Sequence, residues 1–125
     1  MINTHMPAVD GAKGTKPVLT FPSDEAPEGL QIQVLDAGDG QVVEAGDHIV
    51  CHYLGQTWNG DVFDNSYDRG APLDFQIGVG MVIRGWDDGL VGQRVGSRVL
   101  LSIPSELGYG ERGVPQAGIK GGDTL

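Results

Sequence analysis

Val82-Ile83-Arg84-Gly85-Trp86-Asp87-Asp88-Gly89-Leu90 is the stretch of this chain whose apolar residues recur at helical spacing. Val82, Trp86 and Leu90 stand at i, i+4 and i+8 with Ile83 beside them, which places them on one face of a helix. Arg84, Asp87 and Asp88 take the opposite side. Gly85 and Gly89 each weaken such a helix by about 1 kcal/mol relative to Ala. A helix this short has no stability of its own in water, so its apolar stripe must lie against something larger. The spacing predicts a helix over 82–90 packed on a sheet, because the rest of the ordered chain reads as strands.

Downstream of the helix, Gly92 to Gly96 turns the chain, and Val99, Leu101 and Ile103 alternate as a strand that Pro104 stops. Upstream, Leu73, Phe75 and Ile77 alternate in the same way. Asn59-Gly60 is the strongest short-range hairpin signal. It joins a strand over 48–58, with Ile49, Cys51 and Tyr53 on one face, to a returning strand through Val62 and Phe63. Between that return and Leu73, Asp64 to Gly70 reads as a polar loop or bulge. Leu30 to Leu35 alternates as a further strand, followed by the turn Asp36 to Gly40. Ser105 to Gly122 is a loop punctuated by Gly and Pro, after which Asp123-Thr124-Leu125 begins another strand. The expected class is α+β: a twisted antiparallel sheet, in a meander, with one short α-helix packed across its concave face. Residues 1–28 lack sustained periodicity and read as a mostly disordered N-terminal extension, in which Met1 to Met6, with its His5-Met6 pair, has the look of a cloning remnant.

With 125 residues the chain has room for one domain and one core. Its 17 acidic against 8 basic residues give a net charge of −9, which argues against nucleic acid or a membrane surface as partner. No apolar run approaches the length of a membrane span. The single cysteine, Cys51, cannot form an internal disulfide and reads as a small buried hydrophobe, so a reducing compartment, the cytoplasm, is the expected setting.

Several chemical constellations fail on geometry. Gly108-Tyr109-Gly110-Glu111-Arg112-Gly113 matches G-x-G-x-x-G, but a dinucleotide site needs a helix after it, and Val114-Pro115 follows instead. His48 and His52 on a strand have backbones about 13 Å apart, too far for a shared zinc ion with bonds of about 2.1 Å. Asp61 and Asp64 do not have the alternating spacing of a calcium loop. No nucleophile has a base in a recognisable frame, so neither metal nor cofactor is expected. The remaining unusual feature is the aromatic group Tyr53, Phe63, Phe75, Trp86 and Tyr109. Most of these rings belong to a core. Where that core opens to solvent it would form a dry aromatic pocket rimmed by Tyr53, Asp64 and Tyr109.

Tyr53-Leu54-Gly55, Val62-Phe63-Asp64-Asn65-Ser66, Asp68-Arg69, Val82-Ile83-Arg84-Gly85-Trp86 and Tyr109-Gly110 together resemble, in order and spacing, the FK506-binding proteins, which are peptidyl-prolyl cis-trans isomerases. The resemblance runs over 29–125. It implies a sheet wrapped around a short helix, with the pocket between them. It also implies that Trp86 floors the pocket and that Tyr53, Phe63, Val82 and Ile83 wall it. Tyr109 would offer its hydroxyl to a ligand carbonyl, Asp64 would lie beside the carbonyl of the rotating bond, Arg69 would pair with Asp64, and Ile119 would add an apolar contact. Leu73 stands where the family often has an aromatic wall residue, Met81 where it often has an acid, and Val114 where it often has His. The loop from Gly110 to Thr124 is too short for the chaperone insertion of some bacterial relatives. Family members continue past the Thr-Leu position into a final strand. The expectation is therefore of a domain over 29–125 that lacks that strand, cut short or completed by a separate segment, and otherwise monomeric.

The implied partners are proline-containing peptides, unfolded proteins and macrolides of the FK506 or rapamycin type. The alternative to turnover is a binding or chaperone module of the same shape, and a closed scaffold is a third reading.

Overall fold

Asn59–Gly60 reverses the chain as its composition predicts. Asn59 takes a left-handed φ of 54°, and Thr57 N–H donates to the Asp61 carbonyl across the turn. The computed structural model describes residues 6–125. Its elements are β1 (Ala8–Asp10), β2 (Val18–Thr20), β3 (Gln31–Asp36), β4 (His48–Cys51), β5 (Leu54–Gln56), β6 (Val62–Asn65), α1 (Ser66–Arg69), β7 (Leu73–Gln76), α2 (Arg84–Leu90) and β8 (Arg98–Ser102). Among the described residues, no helix is long and apolar enough to cross a membrane.

The strands pair antiparallel, but in a nest rather than a meander. β5 pairs with β6, placing Gly55 opposite Asp64. Around that hairpin β4 pairs with β7, from His48 opposite Gln76 to Cys51 opposite Leu73. Outermost, β3 pairs with β8. The two helices are inserted after β6 and after β7, and β3 and β4 find their partners, β8 and β7, across the nest instead of next in sequence. The strand expected over 48–58 is broken at His52–Tyr53. The expected loop at 64–70 contains the single helical turn α1. Asn65 caps it by accepting the Asp68 N–H, and Gly70, at φ 75°, closes it by donating to the Ser66 and Tyr67 carbonyls. Beyond β8, Leu125 exchanges two backbone bonds with Ile103, at 2.8 and 2.9 Å, and the Thr124 carbonyl accepts from Trp58 N–H.

The expected disorder of residues 1–28 gives way, over Ala8–Thr20, to a hairpin in which β1 pairs with β2. Polar tethers hold this hairpin to the body: Arg98 donates to the Gly11 carbonyl at 2.9 Å, and Lys16 pairs with Asp68 at 2.9 Å. Phe21 then meets the Trp58 ring edge-on at 4.9 Å. Weak periodicity hid these contacts because they are made by individual long side chains, not by a stripe. The cloning-remnant reading falls, over residues 1–5, outside the described residues; Met6 is buried.

α2 starts at Arg84, with Val82 and Ile83 in the approach to it. The stripe packs as its spacing requires: Val82, Trp86 and Leu90 lie against the buried cluster Val43, Phe75 and Ile77. The helix glycines have a use that propensity does not show. A Cβ on Gly85 would sit 2.5 Å from Ile103 Cγ2, and one on Gly89 would sit 2.9 Å from Leu101 Cδ2. Their bare faces let α2 press directly onto Leu101 of β8 and onto Ile103 just beyond its end.

Cys51, on β4, is packed against the same cluster. Burial pushes its thiol up from 9.0 to about 11. The thiol form is therefore favoured by folding below pH 9.0, and that contribution is lost as pH rises through about 11. At pH 8 the folded chain should alkylate about 100-fold more slowly than the urea-unfolded chain, following the thiolate fraction. Equal rates would show an open thiol.

Candidate functional site

The break between β4 and β5 sets the position of Tyr53. Ser66, fully buried at the start of α1, holds that residue from two sides. Its hydroxyl accepts the Tyr53 N–H at 2.8 Å, and its own N–H donates to the Tyr53 carbonyl at 2.9 Å. His52 Nδ1 lies 2.9 Å from the same hydroxyl, with its ring stacked on Tyr67. Ser66→Ala would leave the Tyr53 amide without its acceptor, at a cost of about 1–3 kcal/mol. Thermal unfolding should show a fall of several degrees, and an unchanged midpoint would contradict this placement.

From that anchor the Tyr53 ring meets Trp86 edge-on, with centroids 5.2 Å apart, and Phe75 packs against Trp86 in a tilted contact at 5.7 Å. The Tyr53 hydroxyl donates to Asp64 Oδ2. Arg69 Nη1 donates to the Tyr53 oxygen at 3.2 Å and to Asp64 Oδ1 at 3.4 Å. Its guanidinium also lies 5.5 Å from the Tyr53 ring centroid. α1 makes this possible, since one helical turn after Asp64 brings Arg69 back over it. Burial, and then the Asp64 hydrogen bond, hold the Tyr53 hydroxyl above its ordinary range. The bond to Tyr53 raises Arg69, and the Lys16 hydrogen bond lowers Asp68. Gly55 makes room for the next ring, because a Cβ there would sit 2.6 Å from Phe63 Cζ.

These groups border one cavity of about 900 Å³. Trp86, Tyr53, Phe63 and Asp64 line it, with Arg69 and Tyr109. So do Leu73, Val82, Ile83 and the exposed Met81. Pro17, Leu19 and Phe21 of the N-terminal segment reach the same space. Ile119 is not brought to it. Val114 and Ile119 exchange two backbone bonds, at 2.9 and 3.1 Å, and this small hairpin turns Ile119 inward, where it is 2 % exposed. The expected apolar contact from Ile119 is therefore replaced by burial.

Residue patterns alone missed Ser66 and Gly55 as supports of the site. The capping pattern of Asn65 with Asp68 three residues on was the available signal for α1, and hence for Ser66 at its start. Gly55 had none, since its role depends on where Phe63 lies. Among the described residues no group of three His, Cys, Asp or Glu side chains could hold a metal ion.

Residues 39–125 match the family model for FKBP-type peptidyl-prolyl cis-trans isomerases. The chain is 46 % identical over 111 residues to an FK506-binding protein of Streptomyces anulatus, covering 88 % of this chain and 90 % of that one. It is 52 % identical over 80 residues to the peptidyl-prolyl cis-trans isomerase FKBP15-1 of Arabidopsis thaliana, covering 64 % of this chain and about half (52 %) of the plant protein. The crystal structure of AtFKBP13 superposes with a TM-score of 0.71 at 40 % identity, covering 81 % of this chain and 89 % of that one. With the motif residues gathered at one cavity and the match spanning most of the ordered chain, the protein belongs to the FKBP-type peptidyl-prolyl cis-trans isomerases.

Proposed function

We propose that this chain rotates X-Pro peptide bonds at the cavity floored by Trp86, without a covalent intermediate. The observation that carries this is the Tyr53–Asp64–Arg69 cluster set beside the Trp86 ring at one cavity. Rotation abandons amide resonance across a barrier of about 18–20 kcal/mol. The planar amide is more polar than the twisted one, so an apolar, water-poor cavity disfavours the ground state more than the transition state. The proline ring would rest on Trp86 between Tyr53, Phe63, Val82 and Ile83. Asp64 would face the turning carbonyl carbon, while the Tyr109 hydroxyl would bond a carbonyl of the substrate. Arg69 would hold Asp64 in place. Nothing in this scheme moves a proton to solvent or uses a cofactor.

The functional unit in this reading is 29–125, and the substrates are proline-containing segments of unfolded chains, with FK506-type macrolides as competitors. The free half-buried thiol suits a reducing compartment, the cytoplasm. A proline-limited peptide assay tests the reading. The relaxation rate should rise in proportion to protein concentration, and FK506 should suppress the rise. Peptide binding without acceleration would leave a binding module in its place.

A further inference from the structure

Asp87 follows Trp86 in the first turn of α2 and does not itself line the cavity. Its carboxylate accepts two backbone N–H groups, Gly78 on Oδ1 at 2.7 Å and Gly80 on Oδ2 at 3.0 Å. Both glycines have φ of 81°, and a Cβ on Gly78 would also sit 2.8 Å from Ala45 Cα. This turn runs directly into Met81, Val82 and Ile83, which border the cavity. Val79 and Met81 are 52 % and 62 % exposed, so burial does not hold the turn in place. The backbone N–H groups of Trp86 and Asp87 both donate to the Ile83 carbonyl, at 3.0 and 3.3 Å. Met81 and Val82 are thus spanned by a closed ring of contacts, with Asp87 at its junction.

We propose that Asp87 is a positioning residue: its carboxylate clamps the Gly78–Gly80 turn and so sets the Met81–Ile83 wall before substrate arrives. The inference rests on the reading of this cavity as the proline site. Hydrogen bonds to a charged acceptor are about twice as strong as neutral ones, and here two of them converge on one group. Without the clamp the turn samples other shapes, and only a fraction of molecules presents the wall. Apparent affinity then falls by that fraction, while bound substrate, having selected the correct wall, turns over at its usual rate.

The test compares wild type with Asp87→Asn and Asp87→Glu. Asn keeps the size but turns an NH₂ toward one backbone donor. In Asp87→Asn, hydrogen exchange at the Gly78 and Gly80 amides should quicken and KM for an Ala-Leu-Pro-Phe peptide should rise, each by about 10-fold, with kcat within about twofold. Asp87→Glu should recover part of both. Unchanged exchange, or quickened exchange with unchanged KM, overturns the inference. A fall in kcat alone, with a lower unfolding temperature, also overturns it, since that marks a structural role. If wild type itself does not accelerate isomerisation, the proposed function fails, and the clamp is decided by exchange and by the peptide's dissociation constant.

Discussion

Asp64→Ala is expected to lower kcat/KM for proline isomerisation by about 10- to 100-fold, with the unfolding temperature moving only a few degrees. The carboxylate collects the Tyr53 hydroxyl and the Arg69 guanidinium, so its removal releases both at once. Displacements of about 1 Å at a reacting centre are enough for rate losses of this size. The stability effect stays small because the Asp64 and Arg69 side chains are about half exposed, and exposed pairs contribute about 0–1 kcal/mol. Asp64→Asn keeps an acceptor for Tyr53 without the charge and should fall between. Stopped-flow relaxation of a proline peptide, run beside thermal unfolding, measures both quantities, and a full rate in Asp64→Ala would remove Asp64 from the mechanism.

The pH profile follows from the same cluster. Burial and Asp64 hold Tyr53 above its ordinary 10.0, so its hydroxyl keeps its proton and its donor role below that value. Catalysis should be flat from about pH 7 to about pH 9.

Gly85→Ala is expected to destabilise the fold by about 1–2 kcal/mol, although helix propensity alone favours it by about 1 kcal/mol. The new methyl would meet three Ile103 side-chain carbons at 2.5, 2.8 and 2.9 Å. Ile103 has little freedom to retreat, being 3 % exposed and bonded through both backbone groups to Leu125. Gly89→Ala is the internal comparison. Its methyl meets only the tip of Leu101, which is half-buried and can turn, so the change should be nearer neutral. Denaturant unfolding of the two variants gives the order directly. A Gly85→Ala chain more stable than wild type would mean that α2 does not lie on β8 as described.

The two glycines show where residue patterns stop being informative. Spacing revealed which face of α2 is apolar, because Val82, Trp86 and Leu90 carry that information in their own side chains. Gly85 and Gly89 read as local weakness, since the close approach of β8 is a tertiary fact. Alternation likewise identified β3, β7 and β8 but not their partners, because period-two patterning marks faces and leaves neighbours open. The break at His52–Tyr53 was invisible for a related reason: the alternation runs through it, and Ser66, thirteen residues away in sequence, imposes it. The motifs of the site fared better. Tyr53, Asp64, Arg69 and Trp86 are brought together as the resemblance implies, while Ile119 is turned inward by a small hairpin that its Gly- and Pro-rich loop did not disclose.

The central claim is that the Trp86 ring is the floor on which a proline ring sits while its peptide bond turns. Nuclear magnetic resonance with an Ala-Leu-Pro-Phe peptide tests it in one sample, reading the Trp86 indole N–H while exchange between the cis and trans peptide signals is timed. Exchange should accelerate, and the Trp86 signal, with the Tyr53 amide, should move as peptide is added. Acceleration with Trp86 unmoved, or no acceleration at saturating peptide, would contradict it.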